Sequence, residues 1–250
     1  MATSPAAAHY NMLLPSASSA KKGEAVTLVY QWGHPFEHQL FDAPTPQSLF
    51  VVAPDGKKID LTKSLTRTSV VSGDDKHAAF QVRFTPEQRG DYVFVLRTPP
   101  IWMQEEQEFY EDTVKVVLHV QAQKGWDQSA QTPFELVPLA RPYGLLPGCV
   151  FQAQGLIEAS PLPGTIVEIE QYNATPPKAL PADEFITRLV KTDPNGVVTC
   201  MFPEAGWWCL TASQRSKVMK EQDGKKYPVR RRTTFWLFVD EKVKAAPNGE

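Results

Sequence analysis

The chain has 250 residues, room for one large or two ordinary domains, and a formal net charge of −2. That balance leaves no broad electrostatic footprint for nucleic acid or an anionic membrane, and no apolar run of about 18 residues is present to span a bilayer. Twenty-two prolines against fourteen glycines, with short apolar runs between them, favour strands and turns over long helices.

Residues 1–8 lack the basic and apolar regions of a signal peptide, yet Ala6-Ala7-Ala8 looks like the end of one. They read as the remnant of a cut-away export signal or as a disordered terminus; the first reading predicts an exported, periplasmic protein. Residues 10–15 predict a first strand. Residues 26–32 predict a second, which runs into Gly33-His34-Pro35-Phe36-Glu37-His38. Two histidines with a carboxylate between them then sit on a loop, where binding groups tend to be placed, and neutral imidazole suits nickel, copper, zinc and iron. A turn carrying solvated histidines fits the same hexapeptide.

Residues 48–52 predict a third strand, followed by the tight turn Pro54-Asp55-Gly56. After a turn at 72–75, Phe80, Val82 and Phe84 alternate with Gln81 and Arg83, the period of a half-buried strand. Residues 92–97 form the next, and Tyr92 stands where immunoglobulin-like sandwiches carry a tyrosine corner. Residues 98–112 hold Trp102, Met103, Glu105, Glu106, Glu108, Phe109 and Tyr110, and read as a long functional loop. Residues 114–120 alternate again, with His119 on the solvated face; His77 also reads as solvated.

This pattern predicts an all-β chain of two antiparallel β-sandwich domains in tandem. Residues 9–121 form an immunoglobulin-like sandwich and 122–134 a polar linker. Residues 135–242 form a second sandwich and 243–250 a tail. Strands of the second unit are expected at 149–151, 165–172, 185–191, 197–202, 207–211 and 234–239. The basic run 225–232 reads as a solvated strand entry or, more sharply, as a surface for an anionic partner. Cys200 and Cys209 flank the turn 203–206, and a symmetric hairpin opposes them closely enough for a disulfide in an oxidising compartment. Cys149 reads as a buried small hydrophobe.

In an immunoglobulin-like sandwich the chain start, the 33–38 loop and the 98–112 loop fall at one end. His9, His34, His38, Glu105, Glu106 and Glu108 thereby become candidate ligands of a divalent transition metal. In a chain starting at His9, the amino group and the His9 ring could chelate one ion, with His34 or His38 completing a copper-type arrangement.

The sequence resembles a bacterial family of exported proteins built on a domain of unknown function, formerly labelled a nickel transport complex subunit. The resemblance rests on His9-Tyr10-Asn11-Met12-Leu13, Gly33-His34-Pro35-Phe36-Glu37, Pro54-Asp55-Gly56, Arg141-Pro142-Tyr143-Gly144, Lys191-Thr192-Asp193-Pro194-Asn195-Gly196 and Gly206-Trp207-Trp208. It implies a periplasmic protein near nickel or cobalt uptake, with a membrane metal transporter as partner and with His9 and His34 as matched ligands. Copper or zinc suits the same donors. The second unit resembles transthyretin-like or carboxypeptidase-regulatory-like sandwiches, in which the Asp-x-Asn-Gly turn and the Gly-Trp-Trp strand are structural.

Two functions follow. One is capture of a nickel or cobalt ion for an uptake system. The other is a structural or adhesive module that binds a protein or glycan through exposed Trp102, Phe109 and Tyr110. No nucleophile elbow, phosphate loop or HExxH sequence is present, so a non-enzymatic role is expected.

Overall fold

The computed structural model describes residues 9–241. The expected leader 1–8 and tail 243–250 lie outside the described residues. The first unit contains β1 (Tyr10–Pro15), β2 (Ser19–Ala20), β3 (Val26–His34), β4 (Gln39–Phe41), β5 (Ser48–Val52), β6 (Lys58–Asp60), β7 (Thr66–Ser72), β8 (Asp75–Phe84), β9 (Gly90–Arg97), β10 (Ile101–Met103) and β11 (Glu108–Val120). The second contains β12 (Phe134–Pro138), β13 (Val150–Ile157), β14 (Ser160–Pro161), β15 (Ile166–Gln171), a one-turn helix α1 (Asp183–Ile186), β16 (Arg188–Lys191), β17 (Val197–Met201), β18 (Gly206–Gln222) and β19 (Lys225–Val239). The chain is all-β, as its pattern of short runs and turns predicts.

Three sheets stack in layers. One outer sheet has the order β1-β3-β8-β7, with β4 added to β3. The other joins β12, β13 and β14, with β17 against β13. Between them lies a ten-stranded sheet in the order β16-β15-β18-β19-β11-β9-β5-β6, with β10 and β2 also on β11. The two units meet within this sheet. β11 and β19 pair in parallel from Phe109↔Val229 to Val116↔Trp236.

Side-chain alternation explains the layering, because successive residues of a strand face opposite sides. On β9, Tyr92, Phe94 and Leu96 enter the first core while Val93 and Val95 enter the second. A strand buried on both faces reads as a continuous apolar run, as Tyr92–Leu96 does. On β19, Trp236 enters the first core, and Phe235 and Leu237 the second. On β15, Val167 and Ile169 belong to the second core, so Glu168 and Glu170 face the first unit.

Two local devices match their expected roles. The Tyr92 hydroxyl donates to the Gln88 carbonyl at 3.2 Å and accepts from its N–H at 3.0 Å, closing the tyrosine corner. Asp193 Oδ1 accepts from the N–H groups of Asn195 and Val197, each at 2.8 Å. Gly196 then turns at φ +76°, where a Cβ would stand 2.7 Å from the Leu162 nitrogen.

Other expectations are corrected. Residues 98–112 are not a loop but a hairpin of β10 with the start of β11, from Ile101↔Tyr110 to Met103↔Glu108. Its charge hid it. Tyr110, Glu111 and Asp112 lie beside Arg230, Arg231 and Arg232 of β19, and Glu111 and Asp112 are ion-paired with Arg231 and Arg232. A strand whose carboxylates are matched by guanidiniums needs no apolar alternation. Strands β6 and β7 lack a clear apolar period and went unforeseen, and the expected strand 185–191 begins inside α1. His119 is not simply solvated. Its Nδ1 lies 2.7 Å from Asp91 Oδ1, and its ring stacks on Tyr143 at 4.0 Å.

The expected disulfide is absent, since all three cysteines are free. The chain changes layers at the turn between them. β17 sets Cys200 opposite Phe151 in one sheet, whereas β18 sets Cys209 opposite Trp236 in another. Cys149 is exposed, not buried, because it lies just outside β13.

Candidate metal centre

β1 and β3 pair antiparallel with Tyr10 opposite Gly33, which sets His9 beside His34 at the end of the ladder. Their ring centroids lie 4.8 Å apart. The His9 ring also stacks on Trp32 at 5.1 Å and meets Phe41 at 5.2 Å. The two imidazoles therefore stand in an aromatic setting. Gly33 makes the close fold-back of β4 possible: at φ +151° its Cβ would fall 2.1 Å from the Gln39 carbonyl oxygen. The sharp turn to Gln39–Phe41 brings Phe41 over both rings.

His34 is 8% exposed, and its Nε2 is buried without a hydrogen-bond partner. Burial lowers its pKa below the ordinary imidazole value, while the charges of Glu37 and Glu105 act in the opposite direction. The neutral ring is the ligating form. Of the segments expected to converge, the chain start and the 33–38 segment bring His9 and His34 together, while Glu105 is exposed on the hairpin and acts on His34 only through its charge.

The other candidates are engaged elsewhere. His38, at φ 53°, turns its ring away: Nδ1 lies 2.8 Å from the Asn173 carbonyl and Nε2 3.1 Å from the Val71 carbonyl. Glu108 is buried between Arg215 and Arg230, whose Nε atoms donate to it at 2.7 and 2.8 Å. Burial pushes its carboxyl up, but the two guanidiniums outweigh that and hold it below the usual carboxylate range. Glu106 is half-buried on the hairpin tip. Among the described residues, no group of three or more His, Cys, Asp or Glu side chains is arranged to hold a metal ion.

The aromatic residues named as an exposed binding surface are packed internally. Phe109 is buried, Trp102 lies between Phe109 and Tyr227 at 5.2 and 4.6 Å, and Tyr110 lies under the Arg232 guanidinium at 4.5 Å.

The second unit holds the centre in place. Arg232, 5% exposed, donates to the His9 carbonyl and, through Nε, to Asp112 Oδ1 at 2.7 Å. Trp236 Nε1 donates to the Asn11 carbonyl at 3.0 Å. Asn173 donates its backbone N–H to the Pro35 carbonyl at 3.0 Å and its Nδ2 to the Phe36 carbonyl at 2.6 Å. Glu170 Oε1 accepts from the Phe36 N–H at 3.3 Å, and Tyr10 donates its hydroxyl to Glu168 at 3.0 Å. Burial lifts the Glu170 carboxyl to about 7. None of these partners carried a local signal. They lie more than 130 residues from the loop or strand they grip, and of them only Arg232 belongs to the basic run 225–232.

Residues 6–216 match the family model described as "Domain of unknown function (DUF4198)". The chain belongs to that family. No curated protein matches it. Among solved structures it is similar to the D0-D1 domain of intimin, with 12% identity over 88% of this chain and 95% of that one, at a TM-score of 0.21. It is also similar to native Escherichia coli alpha-2-macroglobulin, with 15% identity over 94% of this chain, at a TM-score of 0.25. The chain spans 14% of that macroglobulin's length. Domains A168–A170 of titin match with 12% identity over 94% of this chain and 66% of theirs, at a TM-score of 0.21.

Proposed function

We propose that this DUF4198 chain captures a divalent transition-metal ion between His9 and His34 in the periplasm and passes it to a membrane uptake system. The observation that carries the reading is the meeting of two imidazoles, 4.8 Å apart, with the buried Nε2 of His34 left without a hydrogen bond. The nearby charges of Glu37 and Glu105 favour a cation at this end of the sandwich. The family resemblance favours nickel or cobalt, whereas the general affinity order favours copper at imidazole sites. Two side chains are few for a tight site, so the remaining donors come from water or from the amino group of a chain that begins at His9. Weak, incomplete ligation suits a protein that must give its cargo up.

Elemental analysis and calorimetry with nickel, cobalt, copper and zinc test this reading, on chains starting at Met1 and at His9. Stoichiometric binding that is lost in His34→Ala and kept in Glu108→Gln is expected. Binding confined to the His9-start chain assigns the amino group as a donor. If neither chain binds any of the four ions, the reading is wrong.

A further inference from the structure

The basic run 225–232 is divided by the fold into two parts with different fates. Arg230, Arg231 and Arg232 are ion-paired with Glu108, with Glu111 and Glu158, and with Asp112. Lys225 and Lys226 are exposed, and so are Lys217 and Lys220 on the facing strand. None of these four lysines forms a salt bridge among the described residues.

They lie on a ribbon that leaves the sheet. Pairing with β11 ends at Val229, and pairing of β18 with β15 ends at Ala212. From residue 216 to 228, β18 and β19 pair only with each other, with a bulge between Arg215 and Met219. A two-stranded ribbon is marginal in water by itself. Val218 and Met219 are nevertheless 44% and 50% exposed on it. At the base, Tyr227 packs on Trp102. Lysines alone could be explained as protection of a bare strand edge. That protection does not account for two aliphatic side chains placed between them.

We propose that the 216–228 ribbon docks on an anionic lipid bilayer. The arrangement has the two components of an interfacial anchor: Lys217, Val218, Met219 and Lys220 stand together near the root of the ribbon, where Met219 pairs with Pro228, and Lys225 and Lys226 flank its turn, so exposed aliphatic side chains are bordered by lysines. Four lysines against Glu221 and Asp223 leave the ribbon as a whole positive on a chain whose net charge is −2, so attraction to acidic headgroups is local and oriented. Charge and apolar insertion together supply the two signals that stable surface binding requires. The metal-binding reading is not needed for this inference. If both hold, docking brings the hairpin that carries Glu105, and with it the His9–His34 pair, close to the membrane.

The test is sedimentation of the full chain with vesicles of phosphatidylcholine alone and with phosphatidylglycerol added to about one-third. Binding to the anionic vesicles only, weakened by salt, is expected. The fourfold variant Lys217→Gln, Lys220→Gln, Lys225→Gln, Lys226→Gln should lose at least about tenfold in binding. The pair Val218→Ser and Met219→Ser should lose about tenfold or more while keeping every charge. Brominated acyl chains should quench tryptophan fluorescence in the parent chain. Failure of the parent chain to sediment with anionic vesicles overturns the proposal. So does unchanged binding of the Val218→Ser, Met219→Ser chain, which would indicate a purely electrostatic partner such as an acidic protein. All substituted side chains are exposed, and thermal unfolding of each variant checks that the fold is kept.

Discussion

Replacing Glu170 by Gln should make the protein more stable at alkaline pH and leave it nearly unchanged in acid. Glu170 is 3% exposed and points from β15 towards the first unit. Burial lifts its carboxyl from 4.5 to about 7; the charge of Glu37 adds to the rise, and hydrogen bonds from Thr187 and Phe36 oppose it. The folded chain therefore holds this proton more tightly than the unfolded chain does. The resulting stabilisation is complete below the unfolded value of 4.5 and is lost as pH rises through the folded value of about 7. One pH unit between the two titration points corresponds to about 1.4 kcal/mol, so the group should cost roughly 3 kcal/mol of stability above neutrality. Glutamine is neutral throughout. Its carbonyl oxygen can accept from the Phe36 N–H, and its amide can donate to the Thr187 hydroxyl, which now lies 2.6 Å from Glu170 Oε2. At about pH 8 the variant should gain up to roughly 3 kcal/mol, equivalent to about 6–12 °C in Tm for a chain of this size. At about pH 4, below the unfolded value of 4.5, the two proteins should nearly coincide. Urea unfolding followed by tryptophan fluorescence across this range gives both curves. Parallel curves, or a variant less stable at high pH, would show that Glu170 does not titrate as its burial requires.

Three further outcomes follow. In the metal-free protein the His34 ring should titrate by NMR below the ordinary 6.5, because burial dominates its shift. Its contribution to stability is present above 6.5 and falls away as pH drops towards the folded value, so a midpoint above 6.5 refutes the buried-ring assignment. Arg232→Met leaves Asp112 buried without its cation and should cost about 3–5 kcal/mol in urea unfolding, whereas a loss under about 1 kcal/mol would mean the pair is solvated. Thiol titration under denaturing, non-reducing conditions should find three thiols, and native protein should react quickly at Cys149 alone. For Cys200 burial pushes the thiol up to about 12, and burial also raises Cys209, so neither offers a thiolate near neutrality.

Much of the fold was legible where local chemistry decides it. Residues 49–52 are a short apolar run that ends near a proline-aspartate-glycine turn, and β5 occupies those positions. Tyr92 and the Asp193–Gly196 turn act through hydrogen bonds within four residues, so their spacing predicts their geometry. The charged strand Glu108–Asp112 was illegible because its partners, Arg215 and Arg230–Arg232, lie over 100 residues away. Cys200 and Cys209 misled for a related reason. Their spacing fits a hairpin, but β17 and β18 lie in different sheets, with Cys200 facing the second core and Cys209 the first, and burial overrides the short turn. The histidines divide in the same way. Adjacency of His9 and His34 follows from pairing of two predicted strands. The fate of His38 does not, since it depends on Asn173 of the other unit.

The motif Gly33–His38 makes contacts on two sides. His34 faces His9, while Pro35, Phe36 and His38 each meet Asn173 or Glu170 through backbone or ring groups. Part of the loop presents the His34 ring to His9, and part bolts it to Glu170 of β15 and to Asn173 just beyond that strand. On the other side, Arg232 and Trp236 grip the carbonyls of His9 and Asn11, so β1 and the His9 that precedes it are bolted to β19. Each histidine is thus positioned by the unit to which it does not belong. A change in the angle between the two units would move both supports and the ring separation with them. On the proposed metal-capture reading, the shared sheet that fixes this angle also sets the affinity. The Glu170 proton, held beside the Phe36 N–H, is one point at which that coupling can be measured.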